Sequence, residues 1–182
     1  MISGRLSQDV VEGDPASCSA LGGALRRRAA TLRERRTALR HTSSAMSGWS
    51  GPAADGFTER LLMQLAEVEQ MAGRLDEVGA ALQAYATDLA HAREQGARAL
   101  DAATRNGLVV DPLGTVHPQP GPAAVEVALR RDAAVPLVQH QVDCAIGEAR
   151  AAAHRLRRRT TSALHALRSD AGRLAALDAP PR

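Results

Sequence analysis

Aromatic side chains are nearly missing from this chain: one tryptophan, one tyrosine and one phenylalanine make up 2% of its 182 residues. So few argue against a β-sandwich core and against the stacking platforms that hold single-stranded nucleic acid. Lysine is absent; all 23 basic residues are arginine, which we read as a bias of the coding sequence rather than a demand for guanidinium chemistry. The only cysteines, Cys18 and Cys144, match no zinc or redox spacing. A buried thiol is the default for Cys18, with a disulfide to Cys144 the alternative outside the cell. No apolar run reaches eighteen residues, so no transmembrane helix is expected, and Met1 to Glu12 lacks the basic start and apolar core of a signal peptide. The net charge of +3 says little about partners.

Catalytic signatures are missing too. There is no phosphate-cradling glycine loop, no His-Glu-X-X-His and no Gly-X-Ser-X-Gly. The histidines at 41, 91, 117, 140, 154 and 165 are scattered. His140 and Cys144 lie one helical turn apart, but two ligands do not make a metal site. We therefore expect no enzyme, no cofactor and no metal.

What remains is alanine, leucine and arginine in helical periodicity, so the expected fold class is all-α. Asp14 and Pro15 suit an N-cap and first helical position. Cys18, Leu25, Leu32, Leu39 and Met46 then recur every seven residues, predicting a first helix of about 34 residues with one apolar stripe. A longer helix is predicted from Pro52 to Arg105, stopped by Asn106-Gly107. Its large heptad position holds Ala54, Leu61, Val68, Leu75, Leu82 and Leu89. The other holds Leu65, Ala72, Gly79 and Ala86, small enough for a partner helix to come close. The first helix is arginine-rich and the second acidic. Folding the chain back at Trp49 sets Arg33 level with Glu67, and Arg26 to Arg28 level with Asp76, an antiparallel register.

Leu108 to Val116 has the composition of a tiny β-hairpin turning through Asp111-Pro112-Leu113-Gly114. Pro118, Pro120 and Pro122 follow as a stiff linker. Ala123 to Ala134 reads as a short helix, Pro136 as a break or restart, and Val138 to Leu174 as a further long apolar stripe. The expected organisation is a helical hairpin over 13–105, a turn and proline linker over 106–122, and a C-terminal helical segment over 123–177. The basic knot Arg155 and Arg157 to Arg159 reads as a solvated face.

Between the first two helices lies Ser47-Gly48-Trp49-Ser50-Gly51-Pro52-Ala53-Ala54-Asp55-Gly56-Phe57, which holds the only tryptophan and the only phenylalanine. From its residues alone, Trp49 reads as a plug packing the tip of a helix–turn–helix reversal. The Trp49-Ser50-Gly51 turn with its Ala-Ala-Asp-Gly-Phe continuation resembles the ESX-like, Trp-X-Gly substrates of bacterial type VII secretion. The likeness is greatest to the N-terminal signal domains of the larger substrates. Gly13-Asp14-Pro15 matches their start and Tyr85-Ala86 their second-helix end. The chain departs from the usual Tyr-X-X-X-acid export signal: Leu89 stands four residues after Tyr85, and Asp88 comes one early.

The resemblance implies export from the cytoplasm by the type VII route without a cleavable signal peptide, or service as a small partner of an exported effector. It names Trp49, Gly51, Phe57 and Tyr85 as the partner or export motif. It implies protein partners: a small ESX-like protein, the secretion ATPase, a cognate effector or a second copy in a four-helix dimer. At this length no toxin domain is expected after the linker. The alternative is a cytoplasmic nucleic-acid-binding protein using Arg26 to Arg28, Arg33 to Arg40 and Arg155 to Arg159, and a generic coiled-coil scaffold comes last. One structural expectation stands apart. The second helix overhangs the first, exposing Leu82, Tyr85, Ala86, Leu89 and Ala92, and the C-terminal stripe is long enough to cover them.

Overall fold

A computed structural model describes residues 10–44, 48–121 and 124–177, with the side chains of all but 171–177. Met46, Ser47, Pro122, Ala123, the side chains of Ala171 and Leu174, and the tail from Ala179 lie outside the described residues. Helix α1 runs Pro15–Ser44 and α2 Pro52–Arg105; strands β1 (Leu108–Val110) and β2 (Val116–Pro118) follow; α3 runs Val125–Leu177. The fold is all-α, three helices with one two-stranded antiparallel sheet. Contacts divide the chain into two units, Ser17–Ala84 with Leu156–Arg182, and Met1–Ala16 with Tyr85–Arg155.

In the unit holding Ser17–Ala84, α1 lies antiparallel on the first part of α2, and the seam is built of the smallest side chains. Gly22, Ala29, Leu65, Ala72 and Gly79 are buried. A Cβ on Gly22 would stand 2.7 Å from the Gly79 carbonyl oxygen, and one on Gly79 would stand 2.7 Å from that of Gly22. The two backbones therefore touch where glycine faces glycine, and dispersion replaces large apolar burial. On α2 the small heptad position faces inward as expected. On α1 the expectation needs correcting: Leu25 and Leu32 are only half-buried flanks and Leu39 is exposed, while the line through Gly22 and Ala29 is buried. Bulky leucines cannot occupy a seam this close.

Charge pairs flank the seam. Arg26 Nε donates to Asp76 Oδ1 at 3.1 Å, Arg33 Nε to Glu69 Oε1 at 3.3 Å, and Arg36 Nε to the Leu65 carbonyl at 3.1 Å. Arg26 meets Asp76 as predicted, but Arg33 pairs with Glu69 and Asp76 rather than Glu67. These pairs are partly exposed and contribute under about 1 kcal/mol each, so their effect is on register more than on stability. Farther along, Arg74 of α2 forms a largely buried ion pair with Asp170 of α3.

The unit holding Tyr85–Arg155 packs the end of α2, the β-hairpin and the first half of α3. Ala99, Ala103, Leu108, Val110, Val116, Val138 and Val142 form its main core. Asp111 shapes the hairpin turn: its Oδ1 accepts from the Leu113 and Thr115 amides, each at 2.8 Å, and Gly114 takes φ +84. Its carboxyl is held below the usual range, chiefly by the Thr115 amide, with smaller help from His117 and the Leu113 amide and against burial. Gln139 of α3 clamps the hairpin, accepting from the Val116 amide at 2.8 Å and donating to the Gly114 carbonyl at 2.9 Å.

One expectation fails in this unit. Pro136 neither breaks nor restarts a helix, since α3 passes through it unbroken. The ring is exposed, so the carbonyl left without its donor can turn toward water. Ahead of α1, Val11 is buried beside Leu89 and Ala92. Ala145 and Ala149 of α3 pack on the same cluster, over Leu89 and Ala92 of α2.

Candidate functional site

The residues singled out in the sequence fall in two places. The first is the reversal between α1 and α2. Gly51 sits at φ +107, a conformation L side chains rarely adopt, and its carbonyl accepts from the Asp55 amide at 3.1 Å. It is therefore the N-cap of α2, with Pro52 at the first helical position and Asp55 in the first turn, where the helix dipole favours a carboxylate. Space does not demand glycine there; backbone angle does, because a Cβ on Gly51 would meet nothing within 4 Å.

Trp49, ahead of the cap, reaches forward to Phe57 in the second turn of α2. Their ring centroids are 5.4 Å apart and tilted 52°, a favoured aromatic geometry. The plug expected from the sequence is corrected: Trp49 is 46% exposed and Phe57 37%. Both rings are exposed, so nearly half of the pair faces out.

The second place is the turn of α2 that carries Tyr85. This half-buried ring packs with Val11, Leu89, Ala92, Ala145 and Ala149. The Gly13-Asp14-Pro15 start docks on the turns that follow, at Leu89 and Arg93. Gly13 has φ +122, and a Cβ there would lie 2.9 Å from Leu89 Cδ2. Arg93 Nη1 donates to the Gly13 carbonyl at 2.8 Å, and Asp14 Oδ1 accepts from the Ala16 amide at 3.0 Å to cap α1. The start segment is thus held at Leu89 and Arg93, on the turns of α2 that follow Tyr85.

This geometry also explains the departure at residue 89. Leu89 is 1% exposed, in the centre of the cluster, where a carboxylate would be buried without a partner. The acid stands one residue earlier on the rim: Asp88 Oδ2 accepts from Arg155 Nη2 at 2.9 Å. Sequence reading missed this partner, because Arg155 counted as one of a basic knot. Trp49, Gly51 and Phe57 belong to one compact unit and Tyr85 to the other.

The arginine run of α1 is partly committed, since Arg26, Arg33 and Arg36 bond acids or backbone of α2. Among the described residues no three histidines, cysteines, aspartates or glutamates gather as a metal site requires, and no helix is long and apolar enough to cross a membrane.

The chain matches one family model, described as "Putative T7SS secretion signal domain", over residues 6–106. No curated protein and no solved structure matches it. The matched span starts before the docked Gly13-Asp14-Pro15 segment, takes in both helices and the aromatic reversal, and ends at the Asn106-Gly107 stop. With more than half of its residues inside that span, the chain belongs to the type VII secretion signal domain family.

Proposed function

We propose that this protein is a non-enzymatic member of the type VII secretion class, itself exported or serving as the small partner of an exported effector, and that it acts through helix–helix contacts. The observation that supports this most is the half-exposed Trp49–Phe57 pair on a reversal fixed by Gly51. A half-exposed aromatic pair at a helix reversal has the character of an interface anchor rather than of core filling. The export motif of this reading is Trp49, Gly51, Phe57 and Tyr85, on a hairpin domain spanning 13–105. Tyr85 contributes by packing on the Val11, Leu89, Ala92 and Ala145 cluster beside the docked Gly13 start.

The test is export from a host with an active type VII system. Trp49→Ala and Gly51→Ala, singly and together, are compared with the native chain for secreted and cell-associated protein. Loss of secretion with normal cell-associated levels supports the reading. Undiminished secretion of the double variant, with its partner binding also intact, overturns it.

A further inference from the structure

Along the outside of the unit holding Tyr85–Arg155, a groove of about 400 Å³ runs between the last turns of α2 and the middle of α3. Its lining is Gln95, Arg98, Ala99, Ala102 and Arg105 from α2 with His140, Gln141 and Cys144 from α3. The groove exists because α2 presents alanine there; a leucine at 99 or 102 would fill it. Its rim is basic, with Arg98 and Arg105 on one wall and an imidazole on the other. Glu94 holds one edge of Arg98, and the remaining guanidinium donors leave room for a second acceptor. The lining residues include no carboxylate, though Glu148 stands at the edge, accepting from Gln95 at 3.2 Å.

Cys144 is the one nucleophile in this setting. It is a free, exposed thiol, and its Sγ lies 3.6 Å from His140 Nε2, one helical turn back. An imidazole at that distance can take the thiol proton as the sulfur attacks. The cavity is large enough for a small molecule, and its charge selects an anionic one.

We propose that this groove is a thiolation site, at which Cys144 exchanges with a low-molecular-weight disulfide bearing carboxylates. The Cys144 thiol gives its proton to His140 Nε2. The thiolate attacks one sulfur of the small disulfide; a new Sγ–S bond forms, the S–S bond of the small molecule breaks, and the second half leaves as a thiolate that takes the proton back. Cys144 is oxidised to the mixed disulfide and the small disulfide is reduced by the same two electrons. Arg98 and Arg105 hold the carboxylates. His140 is a positioning and proton-accepting residue, and the arginines set which disulfide is accepted. The proposal does not depend on the export reading.

The experiment uses the full-length C18S chain, so that Cys144 is the only thiol, with the C144S chain as the control carrying Cys18 alone. Each is reacted with dithiobis(nitrobenzoate), a dianionic aromatic disulfide, and separately with the neutral dithiodipyridine; mass spectrometry confirms the modified residue. Cys144 should prefer the anionic probe over the neutral one by roughly tenfold more than Cys18 does, the low end of what charge-lined clefts do to association rates. R98Q/R105Q on the C18S background should abolish that preference while leaving the neutral-probe rate unchanged, which also shows that the variant is folded. H140Q should slow both probes alike. If Cys144 shows no anionic preference beyond that of Cys18, or keeps it in R98Q/R105Q, the groove is not a thiolation site.

Discussion

Two glycines and one tryptophan show how differently single residues carry this fold. Gly22 and Gly79 face each other across the helical seam, each blocked by the other's carbonyl. Alanine is the better helix former by about 1 kcal/mol, yet at Gly79 that gain is outweighed by backbone contact that cannot relax by rotating a side chain. Gly79→Ala should therefore lower stability by about 1–3 kcal/mol, the usual range for overpacking, measured as a lower urea midpoint at unchanged slope. Gly73 on the same helix has nothing within 4 Å of a Cβ, so Gly73→Ala should be neutral or mildly stabilising and serves as the control. Trp49 behaves oppositely. Its ring is half exposed, so Trp49→Ala should cost about 1–2 kcal/mol, below the ~3–5 of a buried aromatic, with a correspondingly small fall in Tm. A large fall in Tm would place the ring in a core.

At the scale of elements, the β-hairpin is the piece most dependent on protonation. The Asp111 carboxyl is held below its ordinary value of 3.8, so the folded turn favours the charged form. Its support is fully present above that value and is lost as pH falls through the lower folded value. The turn should loosen on acidification below about pH 4, seen as falling amide protection at Leu113 and Thr115 relative to the intrinsic exchange rate at each pH, while Asp111→Asn should make that protection insensitive to pH in this range. The same elements show what the sequence makes legible. Pro52 and Asn106-Gly107 mark both ends of α2 because helix-end chemistry is local, and the Asp-to-Gly turn marks the hairpin for the same reason. Pro136 misleads, since whether a proline ends a helix depends on where its freed carbonyl points. The α1 stripe misleads as well. Leucine spacing reports a helix face, but which neighbouring face forms the seam is decided by how closely the second backbone approaches, and that belongs to Gly79 and Ala72 of the partner. In the candidate site, the reversal at Gly51 was legible; the Trp49–Phe57 pairing, the half-exposed state of the rings and the Asp88–Arg155 pair were not, because they depend on what other parts of the chain leave uncovered or bring near.

For the whole molecule, α3 decides whether α2 is covered. Val138 and Val142 join Ala99 and Ala103 in one core, and Ala145 lies on Leu89 and Ala92 in another. A chain ending at Arg105 leaves these α2 residues facing solvent, a surface of the kind that drives association. It should elute at a larger apparent size than the full chain, with light scattering reporting dimers or higher species. If it is instead monomeric and melts at the same temperature, α3 adds nothing to the stability of α2.

The division of the chain also has a meaning in time. Each unit is assembled from two separated stretches: the second half of one arrives only with residues 85–155, and that of the other only after residue 156. A ribosome delivers the aromatic reversal long before the alanines of Ala145 and Ala149 or the Asp170 carboxylate that Arg74 awaits. During that interval the hairpin exists without its cover, and whatever meets the nascent chain then meets Leu89, Ala92 and the docked Gly13 turn in the open. The period when the signal domain is most accessible thus lasts until α3 has been made and has emerged to pack on α2.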